Sequence, residues 1–112
     1  MTNAEFLTGA KQYLEQIEEG YFTGCFSESA IKADLENRKA SDRYSTMGSN
    51  PHQTNLLWEK KQYYFQDFDE KEQYFNFIIS KLRSITLNHA WIPRFERCKN
   101  QIVKLRNLVR DF

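Results

Sequence analysis

Between Leu57 and Phe112 apolar residues recur at alternating spacings of three and four, with one interruption near Pro93, and no other feature restricts the fold as much. The series runs Leu57, Lys61, Tyr64, Phe68, Lys71, Phe75, Ile78, Leu82, Ile85, His89. It resumes as Phe95, Cys98, Ile102, Leu105, Val109, Phe112, and all but Lys61, Lys71 and His89 are apolar. A repeat averaging about 3.5 residues keeps one stripe of a helix turned toward a partner over many turns. Two such stripes joined through a proline predict two antiparallel helices whose side chains interdigitate. The expected fold is therefore all-α: a small three- to four-helix bundle built on a long antiparallel, coiled-coil-like helical hairpin. If Leu82 and Leu105 are buried in that seam, truncating either to alanine should cost about 2–5 kcal/mol.

The N-terminal part supplies shorter helices. Thr2 and Glu5 have capping-box spacing, and Phe6, Leu7, Ala10, Tyr13, Leu14 and Ile17 then share one face, predicting a helix over Asn3 to Glu19 that stops at Gly20. The ring-rich connection Gly20 to Phe26 leads to Ser27, which can cap a second helix reaching Arg38 to Ala40. Its apolar face (Ala30, Ile31, Leu35) is thin, which predicts looser packing. Residues 41–50 are polar and aperiodic and read as an exposed loop, the best place for mobility. Asn50, Pro51 and Gln53 make a strong helix start. No Gly or Pro interrupts His52 to Trp91. Two helices could meet near Asp67 to Asp69, but the unbroken three-four phase favours a single long one. The last helix is expected over Arg94 to Asp111, started by Pro93. There is no internal repeat, and residues 1–112 read as a single domain.

Nine Phe, six Tyr and two Trp are more rings than one stripe can hold. A bundle of this size must bury them efficiently or share them with a partner, a second copy included. Trp58, Tyr63 and Phe65 lie off the long seam, and Tyr21, Phe22, Phe26, Tyr44 and Trp91 fall in loops or at helix ends. No stretch approaches the roughly 18 apolar residues of a membrane span. The first residues lack the positive start and apolar block of a secretion signal, so the expected location is the cytoplasm with no membrane partner. Cys25 and Cys98 are isolated and read as two buried reduced thiols. The run Asp67, Asp69, Glu70, Glu72 reads as a solvated turn or capping region. With no phosphate-binding glycine loop and no Cys/His ligand set, neither cofactor nor metal is expected.

The net charge of +1 hides a division. Residues 1–80 carry a balance of −5 and residues 81–112 one of +6. Lys81, Arg83, Arg94, Arg97, Lys99, Lys104 and Arg106 lie off the apolar seam. They can be a face solvated or paired with the acidic body, or they can contact phosphates as an accessory nucleic-acid-binding surface, which would act without sequence preference.

Arg83 and His89, a few residues apart near a helix end in a small helical chain, resemble the active-site pattern of HEPN-type ribonucleases. The resemblance implies RNA cleavage without a metal, with His89 in acid/base catalysis and Arg83 stabilising charge on the phosphate. The chain departs from the family at Ser84, where Asn, Asp or His is favoured, and the likeness covers these two residues alone. A histidine at a helix end also serves simply as a cap.

With no catalytic set among the other residues, the leading expectation is a non-enzymatic interaction module: an adaptor, inhibitor or regulator that occupies another protein's surface. The residues expected to make that contact are Tyr21, Phe22 and Phe26 in the ring-rich turn and Arg43 and Tyr44 in the following loop.

Overall fold

The computed structural model describes residues 2–46 and 55–112, and for residues 43–46 the backbone alone. It is all-α among the described residues, with α1 at Asn3–Gln16, α2 at Glu28–Thr46, α3 at Leu56–Ile85 and α4 at Trp91–Asp111. α3 and α4 form the expected antiparallel hairpin. Tyr64, Phe68, Phe75, Ile78 and Leu82 of α3, and Phe95, Cys98, Ile102, Leu105 and Val109 of α4, are all buried, so the three-four spacing marks the packed seam as read. α3 runs through Asp67 to Asp69 as one helix.

α1 and α2 lie in succession along the hairpin, antiparallel to α3. Tyr13 packs edge-on against Tyr74, Tyr21 reaches Asp67, Tyr64 reaches Asp34, and Asp42 meets the start of α3. Between Tyr21 and Asp34 the N-terminal segment consumes many more residues than α3 does between Asp67 and Tyr64. The turn between α1 and α2 absorbs the difference by folding back on itself. The result is a rod with dimensions of 61 × 23 × 19 Å.

Several boundaries differ from the sequence reading. Gly20 does not stop the first helix; α1 passes into a single π turn, Ile17–Tyr21, where the Phe22 amide bonds back five residues to Ile17. The chain then tightens, with Gly24 N–H donating to the Gly20 carbonyl at 2.9 Å. Ser27 caps α2 as expected, its hydroxyl accepting from the Ala30 amide. α2, however, continues to Thr46, so residues 41–46 of the anticipated loop are helical. The reason is tertiary: the Asp42 carboxylate accepts from the Leu56 and Leu57 amides at 2.8 and 2.9 Å. This ties the end of α2 to the electropositive start of α3. The expected start at Asn50 to Gln53 lies outside the described residues; Asn55 precedes the first helical residue described.

The long helix ends at Ile85, not at Trp91. Thr86 is extended, and a turn closed by the His89 amide on the Thr86 carbonyl carries the chain to α4. α4 therefore begins before Pro93, which sits third in the helix, where a missing N–H costs nothing. His89 leaves the seam altogether. Cys98 is buried but Cys25 is exposed, so only one of the two free thiols is in the core.

Candidate interaction surface

The basic residues of the C-terminal third are largely engaged within the chain. Arg94 donates to both carboxylate oxygens of Glu18, at 3.3 and 2.5 Å. Arg106 bridges Asp69 and Glu72 at 2.8 and 2.6 Å, and Arg83 pairs with Glu96 at 2.9 Å. The ammonium of Lys81 stands 5.0 Å over the Phe6 ring. Of the seven cations singled out, Lys81, Arg97, Lys99 and Lys104 have no ion-pair partner among the described residues. The charge division is thus partly internal: Arg94 and Arg106 of α4 are drawn onto acids of the π turn and of α3. Three of the four acids in the run are spent the same way, since Asp67 takes Tyr21 and Lys71 and Asp69 and Glu72 take Arg106. No group of three His, Cys, Asp or Glu side chains among the described residues is placed to hold a metal ion.

Arg83 and His89 share no hydrogen bond among the described residues: Arg83 pairs with Glu96, and His89 bonds at the start of α4. His89 caps the start of α4 through its side chain: Nδ1 accepts from the Trp91 amide at 3.2 Å, and the imidazole leans on the Trp91 ring, with centroids 4.7 Å apart. The ring therefore satisfies an amide rather than the backbone carbonyls that a histidine ending α3 would cover.

The ring-rich turn folds inward. Tyr21 stacks on Phe26 at 4.3 Å, and Phe26 meets Tyr64 and Phe68 of α3 edge-on. The Tyr21 hydroxyl donates to Asp67 at 2.5 Å. Burial first, and then this bond to a carboxylate, hold its phenol above the ordinary tyrosine range. Tyr21, Phe22 and Phe26 are each half-buried against the core. Arg43 and Tyr44 fall in the last turns of α2, and their side chains lie outside the described part of the structure. Cys98, beside Glu18 and Arg94, has its thiol pushed up to about 11, chiefly by burial. It is protonated at neutral pH and unsuited to act as a nucleophile.

The rings left uncovered lie elsewhere. On α3, Tyr74 is 48% and Phe77 57% exposed, side by side with ring centroids 6.2 Å apart. They form one wall of an open groove of about 250 Å³ between α1 and α3. Its floor is the core itself, through Phe6, Ala10 and Ile78, and Glu5 and Lys81 stand among its lining residues. Gly9 lies on the α1 side, and a Cβ built there meets nothing within 4 Å. α1 is held off α3 by ring contacts, Tyr13 to Tyr74 and Phe75, and this separation opens the groove. Burial, then the neighbouring Tyr74, push the Tyr13 phenol above its usual range.

Sequence reasoning missed this face. Tyr74 and Phe77, three residues apart, both lie off the Leu57-to-Ile85 seam, in line with Tyr63 eleven residues before Tyr74, and that phase was the available signal. It was obscured because spacing shows that a ring lies off the seam but not whether a second helix covers it. Of the rings that were noticed off the seam, Trp58 and Tyr63 are exposed and Phe65 is half-buried. No family model, curated protein or solved structure matches the chain. Among the described residues, no helix is long and apolar enough to cross a membrane.

Proposed function

We propose that this chain is a non-enzymatic helical interaction module that works by occupying the surface of another protein, and that its contact face is the α1–α3 groove. The observation that carries the reading is the pair Tyr74 and Phe77, two rings about half exposed beside a groove floored by the core. Aromatic side chains bury large areas at low entropic cost, and groups of them left in water on a small chain are characteristic of docking sites. Gly9 supports the same reading. In the interior of α1 a glycine costs about 1 kcal/mol relative to alanine, and its effect on the surface is to leave the groove open. The two free thiols suit a reducing compartment, so we place the protein in the cytoplasm.

The nucleic-acid reading has less to draw on, since Arg83, Arg94 and Arg106 are committed to carboxylates. The ribonuclease reading draws on two residues that are each engaged elsewhere, Arg83 with Glu96 and His89 with the Trp91 amide. A photoreactive amino acid placed at Phe77, and for comparison at exposed Asn100 on α4, tests the module. Covalent protein adducts are expected from position 77 and not from position 100. Equal labelling at both positions, or none at either, would remove the groove as the contact face.

A further inference from the structure

The outward stripe of α3 beside α1 reads Glu70, Tyr74, Phe77, Lys81: acid, ring, ring, base, at spacings of four, three and four. At about 100° per residue these positions stay within one narrow strip of the helix surface. Read backwards, the strip is its own complement. Two copies of α3 laid antiparallel, with a two-fold axis between Tyr74 and Phe77, set Glu70 of each against Lys81 of the other. The same operation sets Tyr74 against Phe77 on both sides of the axis. A parallel arrangement would instead oppose Glu70 to Glu70 and Lys81 to Lys81.

The charges at the two ends of the strip are available for this. Glu70 is exposed and has no partner among the described residues, whereas its neighbours Asp67, Asp69 and Glu72 are all engaged. Lys81 has no carboxylate partner among the described residues and rests over Phe6 at the groove.

We propose that the occupant of the α1–α3 groove is a second copy of this chain, docked antiparallel through Glu70, Tyr74, Phe77 and Lys81. The inference rests on the reading of this face as a docking surface and names its partner. The contact is isologous, so each copy contributes the same residues and the assembly closes at two. Each Phe77 enters the groove of the other copy beside Tyr74, where Gly9 leaves room. The strip spans about 17 Å at 1.5 Å per residue, which is small for an interface. The dimer is accordingly weak and depends on concentration.

Sedimentation equilibrium of the full chain, from about 5 µM to about 1 mM, tests this at moderate salt. The mass is expected to rise from 13.4 kDa toward twice that value. Lys81→Glu alone and Glu70→Lys alone each set like charges opposite one another, and should each weaken self-association about tenfold or more. An equimolar mixture of the two variants restores both attractive pairs, and so does the doubly exchanged chain. Both should associate within about threefold of the wild type, with unchanged helicity by circular dichroism as the check on folding. A wild type that stays monomeric throughout, single reversals that dimerise normally, or a mixture that fails to recover association would each overturn the antiparallel pairing. If the chain is monomeric while the probe at Phe77 labels a different protein, the second copy is wrong and the groove stands as the contact face. If the probe labels nothing, the groove reading falls as well.

Discussion

α3 meets α2 near its start and α1 near its end, and it offers aromatic side chains to both, yet the two contacts finish differently. On the α2 side the rings are tied down. Tyr64 is buried and donates to Asp34 at 2.7 Å, Asp34 also receives Arg38 at 3.0 Å, and Phe26 fills the space against Phe68. On the α1 side Tyr74 packs against Tyr13 and Phe77, and no hydrogen bond among the described residues ties it down. Both Tyr74 and Phe77 stay half in water. A phenol that finds a carboxylate fixes the distance between two helices, whereas ring-on-ring contact leaves that distance to bulk. The first contact contributes to holding the bundle together, and the second leaves a surface.

The largest expected effect separates the two sides by stability. Phe68 and Leu105 are buried in the seam, and replacing either with alanine should cost about 3–5 and 2–5 kcal/mol respectively, through lost burial and the cavity left behind. Phe77→Ala should change the unfolding free energy of the dilute chain by about 0.5 kcal/mol or less. Urea titrations of the three variants decide the matter. A Phe77→Ala loss near that of Phe68→Ala would mean that the groove is core.

The glycine turn comes next. A Cβ on Gly24 would lie 2.9 Å from the Gly20 carbonyl oxygen, which Gly24 itself bonds through its amide. Gly24→Ala must open that bond or shift the turn that carries Tyr21 and Phe26 into the core. A loss of about 1–3 kcal/mol is expected, along with weaker near-ultraviolet dichroism from the displaced rings. Unchanged melting and dichroism would show that the turn does not position the α2 side.

The phenol–carboxylate bonds give a smaller effect with a pH signature. Tyr64→Phe should cost about 1 kcal/mol, while Tyr74→Phe, whose hydroxyl has no hydrogen-bond partner among the described residues, should cost nothing measurable. Partial burial pushes the Asp34 carboxyl upward, but bonds from Tyr64 and Arg38 and the charge of Lys60 outweigh it and leave its pKa below the ordinary value of 3.8. A depressed carboxyl contributes stability at pH values above its unfolded pKa, and that contribution fades as pH falls through the folded value. Burial and the bond to Asp34 raise the Tyr64 phenol above its usual 10.0, so its contribution is complete below pH 10 and fades as pH rises beyond it. Stability measured from pH 2 to 11 should therefore drop at both extremes, and Tyr64→Phe should flatten both arms. A variant that keeps the wild-type profile would remove Tyr64 and Asp34 as the clasp.

The same contrast explains what the sequence made legible. The hairpin was readable because its signal is a repeat: Phe68, Leu82, Leu105 and their neighbours recur in phase over many turns, and local spacing is enough to specify the stripe. The ends of elements were less readable because long-range contacts set them. Asp42 looks like a loop residue until Leu56 and Leu57, far along the chain, supply amides for it. Gly20 looks like a stop until the π turn uses it to bring Tyr21 to Asp67. The basic strip of α4 was visible in composition, but its pairing with Glu18, Asp69 and Glu72 depends on where α1 and α3 lie. The groove was hardest to see, because the sequence shows which residues are off the seam but not whether another helix covers them.

The smallest expected effect has the opposite sign and tests the open side alone. Gly9 lies in the interior of α1 and is exposed, and an added Cβ would touch nothing within 4 Å. Alanine lowers the conformational freedom of the unfolded chain and has the higher helix propensity, so Gly9→Ala should stabilise the chain by about 0.5–1 kcal/mol. That corresponds to a melting temperature higher by about 2–5 °C. On the α2 side an added methyl has no such room, as Gly24 shows, so one substitution applied to two glycines should move stability in opposite directions. If Gly9→Ala destabilised instead, α1 would sit closer to α3 than the ring contacts of Tyr13 imply, and the groove would be closed. A stabilised variant would mean that glycine at this position weakens the isolated chain. The compensating use of the space it leaves would then lie in whatever docks beside Tyr74 and Phe77.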